Sequence, residues 1–152
     1  MRLKLGTQEK RIDELFEYAS NIQDDEIKSH FSKYLCVRVS GYFENVLKIM
    51  ISSYVSNSSS KPTSNFVQNK IKNLTNINDN KLSDLLKSFS DKWYDDYNIS
   101  LTDKHRASLN SLIANRNCIA HGQPDTISYS TIKQYYTDLK EIIIYLDLIV
   151  KK

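Results

Sequence analysis

Glycine and proline are scarce in this 152-residue chain, with 3 and 2 respectively. All-β folds need many turn residues, so the shortage points to helices joined by few connections. The two cysteines, Cys36 and Cys118, are far apart and show no ligand spacing, which makes a reduced, cytoplasmic setting the expectation. No apolar run is long enough to span a bilayer, since "EIIIYLDLIV" falls well short of one. The start, "MRLKLGTQEKRIDE", lacks the apolar core of a secretion signal. A strong charge bias is also missing. The net charge is +3, and its slight basic excess lies in the first half, which permits nucleic acid without arguing for it.

What is present is a globular composition, 40% hydrophobic and 26% charged, in a length suited to one domain over residues 1–152. Apolar residues recur every three or four positions, predicting an all-α antiparallel bundle of five to six helices. The first helix is expected from "TQEKRIDELFEYASNI", with Thr7 as its N-cap. Asp24–Val55 forms the longest periodic segment, headed by acidic residues where a helix dipole favours them. Its later half is apolar nearly all round, and the surplus suggests a further contact surface. After the break "SNSSSKPTS" a short helix "SNFVQNKIKNL" follows, and then one over "NKLSDLLKSFSDKWYDDY". A fifth begins at Thr102 and ends at Ala120, with Gly122 as the residue that turns the chain, and a sixth closes the chain.

The end of the fifth helix carries the chemistry. "RNCIAHG" puts Arg116 and His121 five positions apart, about 140° around a continuous helix and too divergent to meet. With Gly122 as a stop, His121 falls at the terminus, where it can turn back toward Arg116. Unpaired carbonyls there favour an imidazolium, the setting of a general acid or base. Arg116 offers a forked, permanent cation for a phosphate, and Asn117 adds a neutral donor and acceptor. The three together suit a phosphodiester. The bland alternative is a helix-capping histidine beside a surface arginine.

This motif resembles the Arg-x4-His signature of HEPN domains, in its "RN-x-x-x-H" form. "CVRVSGYFENVLKIMISSYV" is similar to the helix that carries a glutamate in the RiboL-PSP-associated HEPN subgroup, with Glu44 at the matching place. The resemblance implies a metal-independent endoribonuclease of toxin or anti-phage defence type, free of cofactors. It acts on RNA as a homodimer whose two Arg–His pairs face each other. An antitoxin or another defence-system protein is a further implied partner. The alternative is a catalytically silent HEPN module that binds RNA or a nucleotide, or mediates protein interaction.

Other residues have less specific expectations. Glu44 pairs with Arg38 or a lysine, or else orients Arg116 across the bundle. Lys61, Lys70 and Lys72 lie in the most basic region, either an RNA-contacting arm or a solvated face. His30 and His105 are expected at the surface. Cys118 and His121 have a C-x-x-H spacing, but two ligands make a poor metal site, and none is expected.

Overall fold

The computed structural model describes the backbone of residues 2–151 and the side chains of residues 5–151. Among the described residues there are helices and no strands. They are α1 (Arg2–Ser20), α2 (Asp25–Ser58), α3 (Lys61–Ile71), α4 (Asp79–Phe89), α5 (Asp91–Ser100), α6 (Asp103–Ala120) and α7 (Tyr129–Val150).

Three helices make the centre. Cys36 of α2 meets the Leu112 carbonyl of α6, and Lys33, three residues earlier in α2, pairs with Asp125 just beyond the end of α6, so these two run antiparallel. Ser108 of α6 donates to Asp138 of α7, and His105 bonds Glu141 further along, so that pair is antiparallel too. It follows that α2 and α7 run in the same direction. The α1 helix lies over them, its Phe16 ring stacked on Tyr136 at 4.9 Å and its Asp13 accepting from the Tyr136 hydroxyl at 2.8 Å. Leu35, Val39, Phe43, Val46, Leu112, Ile132, Ile142 and Leu146 fill the core. Each such aliphatic or aromatic side chain contributes about 1.5–3 kcal/mol by leaving water.

Most helix ends follow local chemistry. Asp24 caps α2 by accepting from the Ile27 amide at 2.9 Å. The break after α2 is narrower than its composition suggests. The helix runs on to Ser58, and Ser60 caps α3, which starts with Lys61 and Pro62. Thr7 is not an N-cap but lies inside α1, because the chain is already helical from Arg2 and Leu5 packs against the core.

The helix expected over residues 80–97 is two helices, α4 and α5. Ser90 breaks it in an extended conformation, φ −165° and ψ 130°, ending α4 and starting α5. A straight rod would lift one end off a rounded core. The bend lets Leu82 and Leu86 pack from one half and Trp93 and Tyr97 from the other. Trp93 then sits against Tyr54 and Phe89, at 4.8 and 5.5 Å between ring centroids. The later half of α2 is covered from the same side. Ile51 and Val55 form a second, smaller cluster with Ile71 of α3, so most of the apolar surplus of α2 is buried within the chain.

His30 is exposed, but His105 is buried rather than at the surface. It closes a capping box with Thr102, whose amide donates to Nδ1 at 3.2 Å, leaving Nε2–H to donate to Glu141 at 2.9 Å. A histidine in place of the usual Glu or Gln at that position concealed the role.

The buried Asp138 carboxylate ties α6 to α7. Burial by itself would raise its pKa, but hydrogen bonds from Ser108, Lys104 and Gln134 outweigh burial and hold it below the usual carboxylate value. Asp138→Ala should therefore cost about 2–4 kcal/mol in urea denaturation at neutral pH, since three donors lose their acceptor. A depressed folded-state pKa gives stability that is present above the unfolded value of about 3.9 and is lost as pH falls through the folded one. The gap between wild type and variant should thus close in acid. A gap that persists there would show that Asp138 acts by packing alone.

Candidate active site

The polypeptide leaves α6 through a turn that fixes where the motif residues sit. His121 is the C-cap, at φ −99° and ψ 8°, and Gly122 follows at φ 65°. The Gln123 amide donates to the Cys118 carbonyl at 2.8 Å and the Gly122 amide to that of Ile119 at 3.3 Å. This pair of bonds is the Schellman arrangement, which satisfies carbonyls that the helix leaves open. His121 keeps its own amide on the Asn117 carbonyl at 3.1 Å. Its side chain is exposed and has no hydrogen-bond partner among the described residues.

Arg116 is half-buried one turn earlier. Its Nη1 donates to Oδ1 of Asn117 at 3.3 Å, and no carboxylate pairs with it among the described residues. Arg116 and His121 are not hydrogen-bonded to each other within one chain. The imidazole has left the helical direction without turning onto the guanidinium. Asn117 is the residue that touches both, through its side chain to Arg116 and its carbonyl to the His121 amide.

The wall behind Arg116 is α2. Burial first, and then the nearby Asp125 carboxylate, push the Cys36 thiol up to about 12, against an opposing pull from Arg116. Such a thiol stays protonated and is no nucleophile. Arg116 and Asp125 are thus both close enough to Cys36 to act on it.

Two positioning residues in the same stretch have no counterpart in the sequence reading. Asn115 is buried, donates to the Ser111 carbonyl at 2.9 Å and accepts from the Thr126 amide at 3.2 Å. Asp125 pairs with Lys33 of α2 at 3.2 Å and accepts from the Ile127 amide at 3.2 Å. Together they clamp the return loop onto α6 and α2, which holds the His121 turn from its far side. The signal for Asn115 was available: with Leu112 and Ile119 it forms an i, i+3, i+7 set, a polar residue on an apolar face.

The remaining expected site residues lie elsewhere. Glu44 pairs with neither Arg38 nor a lysine and does not reach Arg116. Its carboxylate accepts from the Asn76 amide at 2.7 Å, holding the α3–α4 connection where Asn76 takes a φ of 53°. Arg38 instead donates to the Tyr34 hydroxyl at 2.6 Å. Lys61, Lys70 and Lys72 are on and just beyond α3, at the far end of α2. Cys36 and Val55 are separated along α2 by roughly 25–30 Å at 1.5 Å per residue, so these lysines are remote from Arg116 in the same chain. Among the described residues no three His, Cys, Asp or Glu side chains gather as a metal-holding group. No described helix is long and apolar enough to cross a membrane.

Comparison with known proteins gives one result. The family model described as RiboL-PSP-HEPN matches residues 8–152, nearly the whole chain. No curated protein and no solved structure matches it.

Gly122 is the one position here where backbone geometry restricts side-chain choice. No neighbour would obstruct a Cβ, so only the positive φ penalises a substitution. Gly122→Ala should destabilise by about 1–2 kcal/mol in urea denaturation. Gly122→Asn should cost less than half of that, because asparagine tolerates this conformation. Equal losses for the two would mean that the turn is not held in the left-handed region in solution.

Proposed function

The chain belongs to the RiboL-PSP-HEPN family, and from that premise we propose that it is a metal-independent endoribonuclease of toxin or anti-phage defence type. Its site is composed of Arg116, Asn117 and His121 from two copies of the chain. One observation carries this reading: a half-buried guanidinium without a carboxylate stands one turn from an exposed, unbonded imidazole on a clamped turn. A capping histidine beside a surface arginine would need no clamp.

The chemistry explains the second copy. Cleavage by the 2′-hydroxyl needs a base for its proton and an acid for the departing 5′-oxygen. As the 2′-oxygen bonds to phosphorus, one His121 takes the hydroxyl proton. The P–O5′ bond then breaks, and the His121 of the other copy gives its proton to the 5′-oxygen. The products are a 2′,3′-cyclic phosphate and a free 5′-hydroxyl, with protons balanced between the two imidazoles. Arg116 neutralises charge on the crowded phosphate, and Asn117 keeps its fork aimed. The outward face of α6, with exposed Ala107 and Ala114, leaves room for a partner helix.

Purified protein with single-stranded RNA in EDTA should leave 2′,3′-cyclic phosphate ends. His121→Ala and Arg116→Lys should each lower the rate by at least about 10²–10³, and Asn117→Ala by less. Light scattering should give twice the 17.7 kDa chain mass. Cutting that stops on chelation and returns with magnesium would refute the chemistry. A folded His121→Ala protein that still cuts would leave the silent, RNA-binding or protein-interaction module as the better account. A monomer that cuts would refute the shared site.

A further inference from the structure

A groove of about 280 Å³ runs between α1 and α2, with Gln8 and Arg11 on one wall, Arg38 and Asn45 on the other, and Val37 and Gly41 at the rim. Three features separate it from an ordinary polar surface. Neither Arg11 nor Arg38 has a carboxylate partner among the described residues; Arg38 is held only by Tyr34, through the hydroxyl at 2.6 Å and over the ring at 5.6 Å. Tyr34 also ends an aromatic run, with Tyr18–Phe31 and Phe31–Tyr34 at 5.3 and 5.4 Å, and Tyr18 and Tyr34 are 63% and 42% exposed. Finally, Oε1 of Gln8 is buried without a hydrogen-bond donor. Among the described residues nothing supplies the hydrogen bond that such a buried acceptor ordinarily has.

Two guanidinium forks without carboxylate partners among the described residues, beside exposed aromatic faces, describe a ligand with phosphates and flat rings. A single-stranded nucleic acid has both. The groove and the candidate active site lie on different faces of α2. Cys36 faces α6 within the field of Arg116, whereas Val37, the next residue, points about 100° away and lines the rim. Within the groove Gly41 presents no side chain and would meet nothing within 4 Å if it had a Cβ, which leaves room for a strand along α2.

We propose that the α1–α2 groove binds single-stranded RNA, with Arg11 and Arg38 on its phosphates and a base on Tyr34. This rests on the ribonuclease reading for the identity of the ligand. It also moves strand binding from the lysines of α3 to the arginines of α1 and α2.

The test uses a fluorescent single-stranded RNA of about ten nucleotides, 2′-O-methylated so that it cannot be cut, with anisotropy read over a range of salt. Arg11→Gln/Arg38→Gln should weaken binding tenfold or more and reduce the salt slope by about 1.4, two phosphates at about 0.7 each. Tyr34→Ala should weaken binding at every salt concentration while changing the slope little. Lys70→Ala/Lys72→Ala should alter neither. All four positions changed in these charge variants are exposed, so the fold is not at risk. Unchanged affinity in the arginine variant, or dependence on the lysines instead, would overturn the proposal. So would loss of dimer mass with RNA affinity intact, which would make the groove a protein interface. Failure of the ribonuclease reading shows separately, as the absence of cutting of unmodified RNA by the wild-type chain.

Discussion

The length of α2 is the constraint around which the other helices are arranged. Its 34 residues extend about 50 Å, whereas a compact chain of this size is only about 40 Å across. One core cannot cover such a helix. The first two-thirds are enclosed by α1, α6 and α7, and the remainder needs α3, with Leu85 and Phe89 of α4, to make a second cluster around Ile51 and Val55. The Ser90 break serves the same constraint, because it lets Leu85 and Phe89 of α4 reach that cluster while Trp93 and Tyr97 of α5 pack on the main core. A segment rich in asparagine and serine, without an evident chemical role, thus has a structural one.

The same helix sets the environment of Arg116. Antiparallel packing places the end of α6 against the beginning of α2, so the motif faces Cys36 and Lys33 and not the cluster at the other end. Lys33 pairs with Asp125, and that ion pair clamps the loop. Arg116 has no carboxylate partner among the described residues. A phosphate arriving there has no internal salt bridge to break.

What could be read from the sequence follows the range of the interactions involved. The ends of α6 were legible because Thr102, Asp103 and Gly122 act on backbone groups within four residues of themselves. The motif was legible for the same reason, being contained in six residues. Ser90 carried no such mark, since nothing near it breaks a helix and only distant packing makes it bend. Glu44 was misjudged on its partner because that partner, the Asn76 amide, lies 32 residues away in an irregular loop. His105 failed differently: its capping role is local, but histidine is an unusual residue for it. The lysines of α3 were grouped by closeness in sequence, and an α-helix as long as α2 makes that a poor guide to closeness in space.

Arg116 and Arg38 show how one side-chain type takes two roles through what holds it. Arg116 is half-buried and steadied by a neutral amide, which directs its fork without diminishing its charge. Arg38 is exposed and steadied by Tyr34, whose hydroxyl accepts from Nη1 and whose ring sets a flat face beside the guanidinium. The first arrangement suits a single phosphate that changes charge during reaction, where a fixed dipole costs no reorganisation. The second suits a polymer that must bind and slide off, where stacking tolerates any base. Lysine would serve poorly in either place. Its point charge cannot be aimed by one amide oxygen, and its ammonium holds water too strongly to lie on a ring.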